Sequence, residues 1–155
     1  MKPILSIIIP AYNAAHYIKR CLDSIFVNGG LDKTSLDLIE TIVVDDCSKD
    51  NTSTIVEKYR DTYNMSNLRL IRHNKNLQQG AARNTGLKKA CGKYIWFVDV
   101  DDIIMPGFLS ILQHPNFLSD IDVFQFNAIA EDLNGNQIAE EFLQEAITAV
   151  SGIDY

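Results

Sequence analysis

The chain alternates between short apolar runs and stretches whose apolar residues recur with a helical period. Ile4 to Pro10 is a β-branched run closed by proline, which predicts a strand buried on both faces. Ile18, Cys21, Leu22, Ile25 and Phe26 then fall at i, i+3, i+4, i+7 and i+8, one face of an α-helix, and Gly29-Gly30 is its expected stop. Ile39 to Val44 predicts a second buried strand. The polar turn Asp45 to Thr52 leads into a helix carrying Ile55, Val56, Tyr59 and Tyr63, and Leu68 to Arg72 forms a third strand. Gly80 to Ala90 predicts a third helix, opened by small residues and ended by Gly92. Lys93 to Val98 is a fourth strand, with Trp96 expected in the core. Pro106 opens a short helix with Phe108, Leu109, Ile111 and Leu112. Asp122 to Ala130 reads as a fifth strand, and Asn134-Gly135 predicts a hairpin turn before Gln137 to Phe142.

Strands alternating with helices over short connections predict an α/β fold, a mostly parallel sheet with helices on both faces. Right-handed crossovers put every strand-to-helix turn at one edge of that sheet, where the ligands of such folds sit. No repeat, low-complexity tract or linker interrupts the sequence, so residues 1–155 are expected to form a single domain.

Composition narrows the partners. A hydrophobic content of 46% is enough for one real core. The net charge of −6 argues against nucleic acid, which is held by clustered Lys and Arg. A phosphorylated small molecule stays open, because a metal ion or helix N-termini can supply the positive charge. Cys21, Cys47 and Cys91 are scattered and make neither a disulfide framework nor a zinc site. No signal peptide is expected from the opening Met1-Lys2-Pro3, and no run of roughly 18 apolar residues could span a bilayer. The expected compartment is the cytoplasm, with any peripheral membrane contact made through regions outside these residues.

Three polar groups fall at successive strand ends: Pro10-Ala11-Tyr12-Asn13, Asp45-Asp46, and Asp99-Val100-Asp101-Asp102. Like charges 4 Å apart repel by about 4 kcal/mol even at an effective dielectric near 20. Gathering such carboxylates at one edge therefore calls for a cation or a hydrogen-bonding ligand, and hard oxygens suit Mn²⁺ or Mg²⁺. Each group also has a plainer reading. Asp45 or Asp46 caps the next helix or its own turn, Tyr12 packs over the sheet edge, and Asp101 and Asp102 are turn residues before Pro106. Arg83 is either a solvated helix residue or a reach toward a diphosphate or the acidic cluster. His16, His73 and His114 show no ligand spacing and read as surface or core imidazoles.

Taken together, four ordered segments resemble the family 2 glycosyltransferases of GT-A (Rossmann-like) fold. They are Ser6 to Asn13 (SIIIPAYN), Glu40 to Thr52 (ETIVVDDCSKDNT), Asn76 to Gly86 (NLQQGAARNTG) and Tyr94 to Asp102 (YIWFVDVDD). The resemblance covers residues 4 to 112 and implies an inverting, metal-dependent enzyme. Such an enzyme moves a sugar from a nucleotide-sugar donor, UDP ahead of GDP or dTDP, to a glycan or lipid-linked acceptor. It implies that Pro10, Ala11 and Tyr12 line the nucleotide pocket beside Asn13 and Val100, with Tyr12 stacked on the base. It further implies that Asp46 or Asp45 accepts a hydrogen bond from the base and that Arg83 lies near the base or diphosphate. Asp99 faces the ribose or the ion's water shell, and Asp101 binds Mn²⁺ or Mg²⁺. Cys47 stands where that family often has glycine. The family's general base lies after the next strand, in a region only beginning at Tyr155. Glu131, Asp132, Glu140 and Glu141 match no motif, so no base is assigned. The expectation is a donor-binding part with the acceptor-binding part missing or incomplete, and the alternative is a binding fragment without transfer activity. A receiver domain would place its paired acids after the first strand, and a nucleotidyltransferase needs a glycine-rich basic loop there. Ala11-Tyr12-Asn13 is neither.

Overall fold

A computed structural model describes residues 2–113 together with the strand segments 123–124, 128–131, 137–141 and 149–150. The chain forms two compact units, Met1–His114 and Pro115–Tyr155. No shift in composition marks the division, and none was expected there.

The first unit is built on β1 (Leu5–Ala11), α1 (Ile18–Phe26), β2 (Ile39–Asp45), α2 (Thr52–Tyr63), β3 (Leu68–Arg72), α3 (Gln78–Leu87) and β4 (Tyr94–Phe97). The four strands form one parallel sheet in the order β3-β2-β1-β4. Every residue of β1 and β2 is buried, as continuous β-branched runs at the centre of a two-sided sheet should be. The apolar face expected of α1 is the face it buries. Ala82 of α3 packs with Ile42 and Val44 on one side of the sheet. A Cβ on Gly86 would lie 2.4 Å from the Ile8 side chain. Ala82 and Gly86 thus serve close helix–sheet packing, whereas a Cβ on Gly80 would meet nothing within 4 Å.

Glycine 92 does not stop α3, which ends at Leu87 with Lys88 as its cap. It lets the α3–β4 turn approach β1: a Cβ there would stand 2.6 Å from the Ser6 amide nitrogen. At the same point the buried Glu40 accepts hydrogen bonds from Ser6 Oγ (2.6 Å) and the Cys91 amide (2.5 Å), clamping the amino ends of the strands. Gly29 and Gly30 follow the end of α1 at Phe26 and dock residues 107–109. The Leu109 amide donates to the Gly29 carbonyl, and Gly30 adopts φ +91° against Gly107.

Trp96 is only half-buried, contrary to expectation, and Ile95 and Phe97 are exposed. Among the described residues β4 is the last strand of the sheet, so its alternate side chains are not covered as those of β1 are. Residues 108–113 form a 3₁₀ helix where a short helix was expected.

In the second unit, β5 (Val123–Phe124) pairs antiparallel with β8 (Ala149–Val150), and β6 (Ala128–Glu131) with β7 (Gln137–Glu141). Of the expected fifth strand, the described segments 123–124 and 128–131 belong to two different antiparallel pairs, and residues 122 and 125–127 lie outside the described residues. The expected hairpin is β6–β7; its turn residues Asn134 and Gly135 lie outside the described residues, as does Asp132.

Candidate active site

The sheet grows from β1 through β2 to β3 on one side, then returns to place β4 on the other. The carboxyl ends of β1 and β4 therefore flank a topological switch point, where open α/β sheets leave a crevice for ligands. The turns after these two strands carry Tyr12 and Asp99.

The β1 turn is pinned by side chains of the β2–α2 turn. Asn13 donates its amide to Ser48 Oγ (2.9 Å), Ala14 to Thr52 Oγ1 (2.8 Å) and Ala15 to Asp50 Oδ2 (3.0 Å). Asn13 Oδ1 in turn accepts from the Lys49 amide at 2.8 Å. Asn13 (φ +50°) and Cys47 (φ +65°) both take the left-handed conformation, which asparagine tolerates and which explains a glycine preference at position 47. Thr52→Val keeps the shape of this fully buried side chain but leaves the Ala14 N–H without a partner. It is expected to lower unfolding free energy by about 1–3 kcal/mol, measured by urea denaturation.

Asp45 and Asp46 are buried and divided in role. Asp45 accepts from the Ser48 amide and from Ser53 Oγ, so it ties its own turn to α2 as the plainer reading had it. Asp46 points toward α3. Its Oδ1 meets His73 Nδ1 at 2.6 Å, and its two oxygens accept from the amides of Leu77 (2.9 and 3.0 Å) and Gln78 (2.7 Å). Burial opposes ionisation of Asp46, but the Leu77 amide, the His73 ring and the Gln78 amide outweigh it and hold the carboxyl below the usual range. The same balance holds at Asp50, where Thr52 and the Ala15 amide overcome burial.

A carboxyl whose folded pKa lies below its unfolded value gives stability that is full above the unfolded value. That stability is lost as pH falls through the folded one. Stability should hold from about pH 7 to 5 and fall below about pH 4, near the ordinary aspartate value. Asp50→Asn should be less stable at neutral pH and show a shallower acid limb in urea midpoints measured against pH.

The β4 turn carries the acidic group. Arg83 Nη2 and Gln79 Nε2, one helical turn apart on α3, both donate to Asp99 Oδ1, at 2.6 and 2.9 Å. The Arg83 guanidinium also lies 5.9 Å from the Phe97 ring centroid. From the other side α1 fixes the turn: Arg20 Nη2 donates to the Asp101 carbonyl (3.1 Å), and Ser24 Oγ accepts from the Ile104 amide (3.0 Å). Burial, with the charges of Asp101 and Asp99, raises the Asp102 carboxyl. Cys21 beneath is pushed up to about 12 by burial, then by Asp102 and Asp101, so it is a buried inert thiol.

These residues suit a hard divalent ion. They offer only oxygen ligands, their mutual repulsion is visible at Asp102, and no described residue hydrogen-bonds the Asp101 carboxylate. Among the described residues, no three metal-ligating side chains close a complete cage. Mg²⁺-type ions are commonly held by one or two carboxylates while ligand phosphates complete the shell.

Between the two turns lies a cleft of about 260 Å³, lined by Pro10, Ala11, Tyr12, Asp46, Asn76, Gln78, Gln79, Ala82 and Val100. Five of the expected nucleotide residues, Pro10, Ala11, Tyr12, Asp46 and Val100, thus share one wall or another of it. Asn13 and Asp45 serve the turns behind it and do not line it. Asp99 and Asp101 belong to the acidic turn, and Arg83 braces it from α3. The sequence shows Asn76, Gln78 and Gln79 only as parts of the Asn76 to Gly86 segment, and His73 as a surface or core imidazole. The His73 partners Asp46 and Thr85 come from the β2–α2 turn and α3, so no local spacing announces it. Glu131 lies on β6, and Glu140 and Glu141 on β7; none is assigned as a base.

The family model for glycosyl transferase family 2 matches residues 6–148. The chain belongs to that family. A glycosyltransferase family 2 relative, the uncharacterized glycosyltransferase YibD of Escherichia coli K12, is 36% identical over 124 residues, covering 80% of this chain and 33% of its own length. The structure of Staphylococcus aureus TarS 1–349 in complex with UDP superposes with a TM-score of 0.60 at 40% identity, covering 71% of this chain and 30% of that one. The mannosyltransferase PcManGT from Pyrobaculum calidifontis, in complex with GDP-Man and Mn²⁺, gives 0.68 at 26% identity over 84% of this chain and 36% of its own. The α/β GT-A fold is therefore shown. The chain spans about a third or less of the length of the curated relatives it matches, 33% to 36% for three of them and 14% to 23% for four others. No helix of the described residues is long and apolar enough to cross a membrane.

Proposed function

We propose that this chain is the donor-binding part of an inverting glycosyltransferase that takes a sugar from a UDP-sugar and passes it to a glycan or lipid-linked acceptor. One observation carries the reading. A cleft at the β1–β4 switch point has an exposed aromatic, Tyr12, on one side and a turn of carboxylates braced by Arg83 on the other. That pairing suits a ligand with a flat base at one end and phosphates at the other. Tyr12 stacks on the base, with Pro10, Ala11 and Val100 enclosing it and Asp46 fixing the wall opposite. Arg83 faces the diphosphate, while Asp99 and Asp101 hold Mn²⁺ or Mg²⁺. When bound, the ion offsets the charge that builds on the leaving nucleoside diphosphate.

Calorimetric titration of UDP into the chain, with Mn²⁺ and then with EDTA, tests this. Metal-dependent binding supports a donor site in these residues, and no binding of UDP, GDP or dTDP under either condition overturns it. Sugar-transfer assays on this chain and on a longer version separate an active enzyme from a domain that binds the donor without transferring.

A further inference from the structure

Behind the cleft, Asp46 is joined to His73 and through it to Thr85, two residues the reading above leaves unused. His73 is nearly closed off, its side chain 9% exposed and that of Asp46 4%. Its Nδ1 stands 2.6 Å from Asp46 Oδ1 and its Nε2 2.9 Å from Thr85 Oγ1. An ionised carboxylate can only accept, so in the neutral ring Nδ1 carries the proton and Nε2 accepts from the threonine hydroxyl. The imidazole is thus fixed at both nitrogens, by the β2–α2 turn on one side and α3 on the other.

What Asp46 does with its remaining capacity makes this more than packing. Its oxygens receive the Leu77 and Gln78 amides, and Gln78 sits at φ +72°, a left-handed conformation that is unfavourable for a non-glycine residue. A strained residue persists where its surroundings over-determine it. Here they are Asp46 and the Asn76 side chain, whose Oδ1 accepts from the Gln78 amide at 3.1 Å. Asn76, Gln78 and Gln79, all on the cleft, are the groups whose amides can read the edge of a base.

We infer that His73 is a positioning residue for nucleotide recognition: it holds the Asp46 carboxylate from behind, fixes the Leu77–Gln78 turn against the cleft, and so sets which base the cleft accepts. This rests on the donor-site reading above. Without His73 the carboxylate is free to turn, the two amides lose a fixed acceptor, and Gln78 relaxes toward ordinary helical geometry. The acidic turn after β4 is held separately, by Arg20, Ser24 and Arg83, and keeps its geometry.

The test titrates UDP, GDP and dTDP, with Mn²⁺ present, into the wild-type chain and into His73→Leu, His73→Asn and Thr85→Val. Mn²⁺ binding without nucleotide is followed in parallel by electron paramagnetic resonance. His73→Leu is expected to weaken the preferred nucleotide about tenfold or more, the scale of one lost charge-assisted hydrogen bond. The spread among the three nucleotides should shrink to within about threefold, with Mn²⁺ affinity unchanged. His73→Asn, whose amide can donate to Asp46 from the position of Nδ1, should recover most of the selectivity. A His73→Leu protein that keeps the wild-type spread overturns the inference, whatever its melting temperature. Should that variant not fold, Thr85→Val decides: it loosens only the far nitrogen, and an unchanged spread there overturns the inference equally. A wild-type chain that binds no nucleotide defeats the donor-site reading first, and this one with it.

Discussion

Asp101→Ala is expected to abolish Mn²⁺-dependent binding of UDP, lowering affinity in the presence of the ion by roughly a hundredfold or more, the upper range for disturbing a metal site. Binding measured in EDTA should not change. The Asp101 side chain is exposed and accepts no hydrogen bond from a described residue, whereas the position of its backbone is set by Arg20 through the carbonyl, which alanine retains. The fold should therefore survive. Removing one of the charges that raise the Asp102 carboxyl relieves repulsion in the metal-free protein, so the melting temperature in EDTA should hold or rise. Asp99→Ala makes a useful contrast. That carboxylate is the shared acceptor of Arg83 and Gln79, so its loss should disturb both the metal response and the setting of α3. Wild-type Mn²⁺ dependence in Asp101→Ala would sink the assignment of Asp101 as an ion ligand and leave Asp99 to account for it.

What was legible in the sequence depended on whether the physics was local. β1 and β2 read correctly to within a residue because strands buried on both faces keep a dense β-branched centre, here Ile7 to Ile9 and Thr41 to Val44. The face of α1 read correctly because one amphipathic period fixes it. β4 has the same apolar density, yet Ile95 and Phe97 are exposed: hydrophobicity reports a strand and not whether a neighbour covers it. Gly92 shows the same limit from the other side. A glycine just beyond a helix reads as a stop, whereas this one answers to a backbone 86 residues earlier, with Ser6 Oγ accepting its amide.

The site divides in the same way. Tyr12, Asp46, Val100 and the acidic turn lie just beyond the carboxyl ends of β1, β2 and β4, the edge to which the alternation of strands and helices assigns them. Asp45 and Asn13 share that edge, but their side chains are spent on backbone donors of the neighbouring turns. Of the four described non-glycine residues with positive φ, Asn13, Cys47 and Gln78 fall in the turns that build the cleft. Such strain has no signature in the sequence beyond the absent glycine at position 47. It becomes visible only with the side chains that enforce it.

Tyr12→Ala provides the complementary expectation, because it should act on the other end of the ligand. The ring lies on the cleft and is 48% exposed, so truncating it removes little packing from the folded state and should leave the urea midpoint nearly unchanged. Stacking of a base on an aromatic side chain contributes about 1–3 kcal/mol, which corresponds to a loss of roughly five- to 150-fold in affinity for UDP. That loss should appear with Mn²⁺ and with EDTA alike, since it does not pass through the carboxylates. Tyr12→Phe keeps the aromatic face and should bind within about twofold of wild type if the hydroxyl is not the recognised group. The two sets of variants then separate by condition: Asp101→Ala fails only when the ion is present, and Tyr12→Ala fails in both. Equal UDP affinity in Tyr12→Ala and wild type would remove base stacking and place recognition on the Asn76–Gln79 wall instead. A Tyr12→Ala loss confined to Mn²⁺ would mean that the ring acts on the phosphates' surroundings and not on the base.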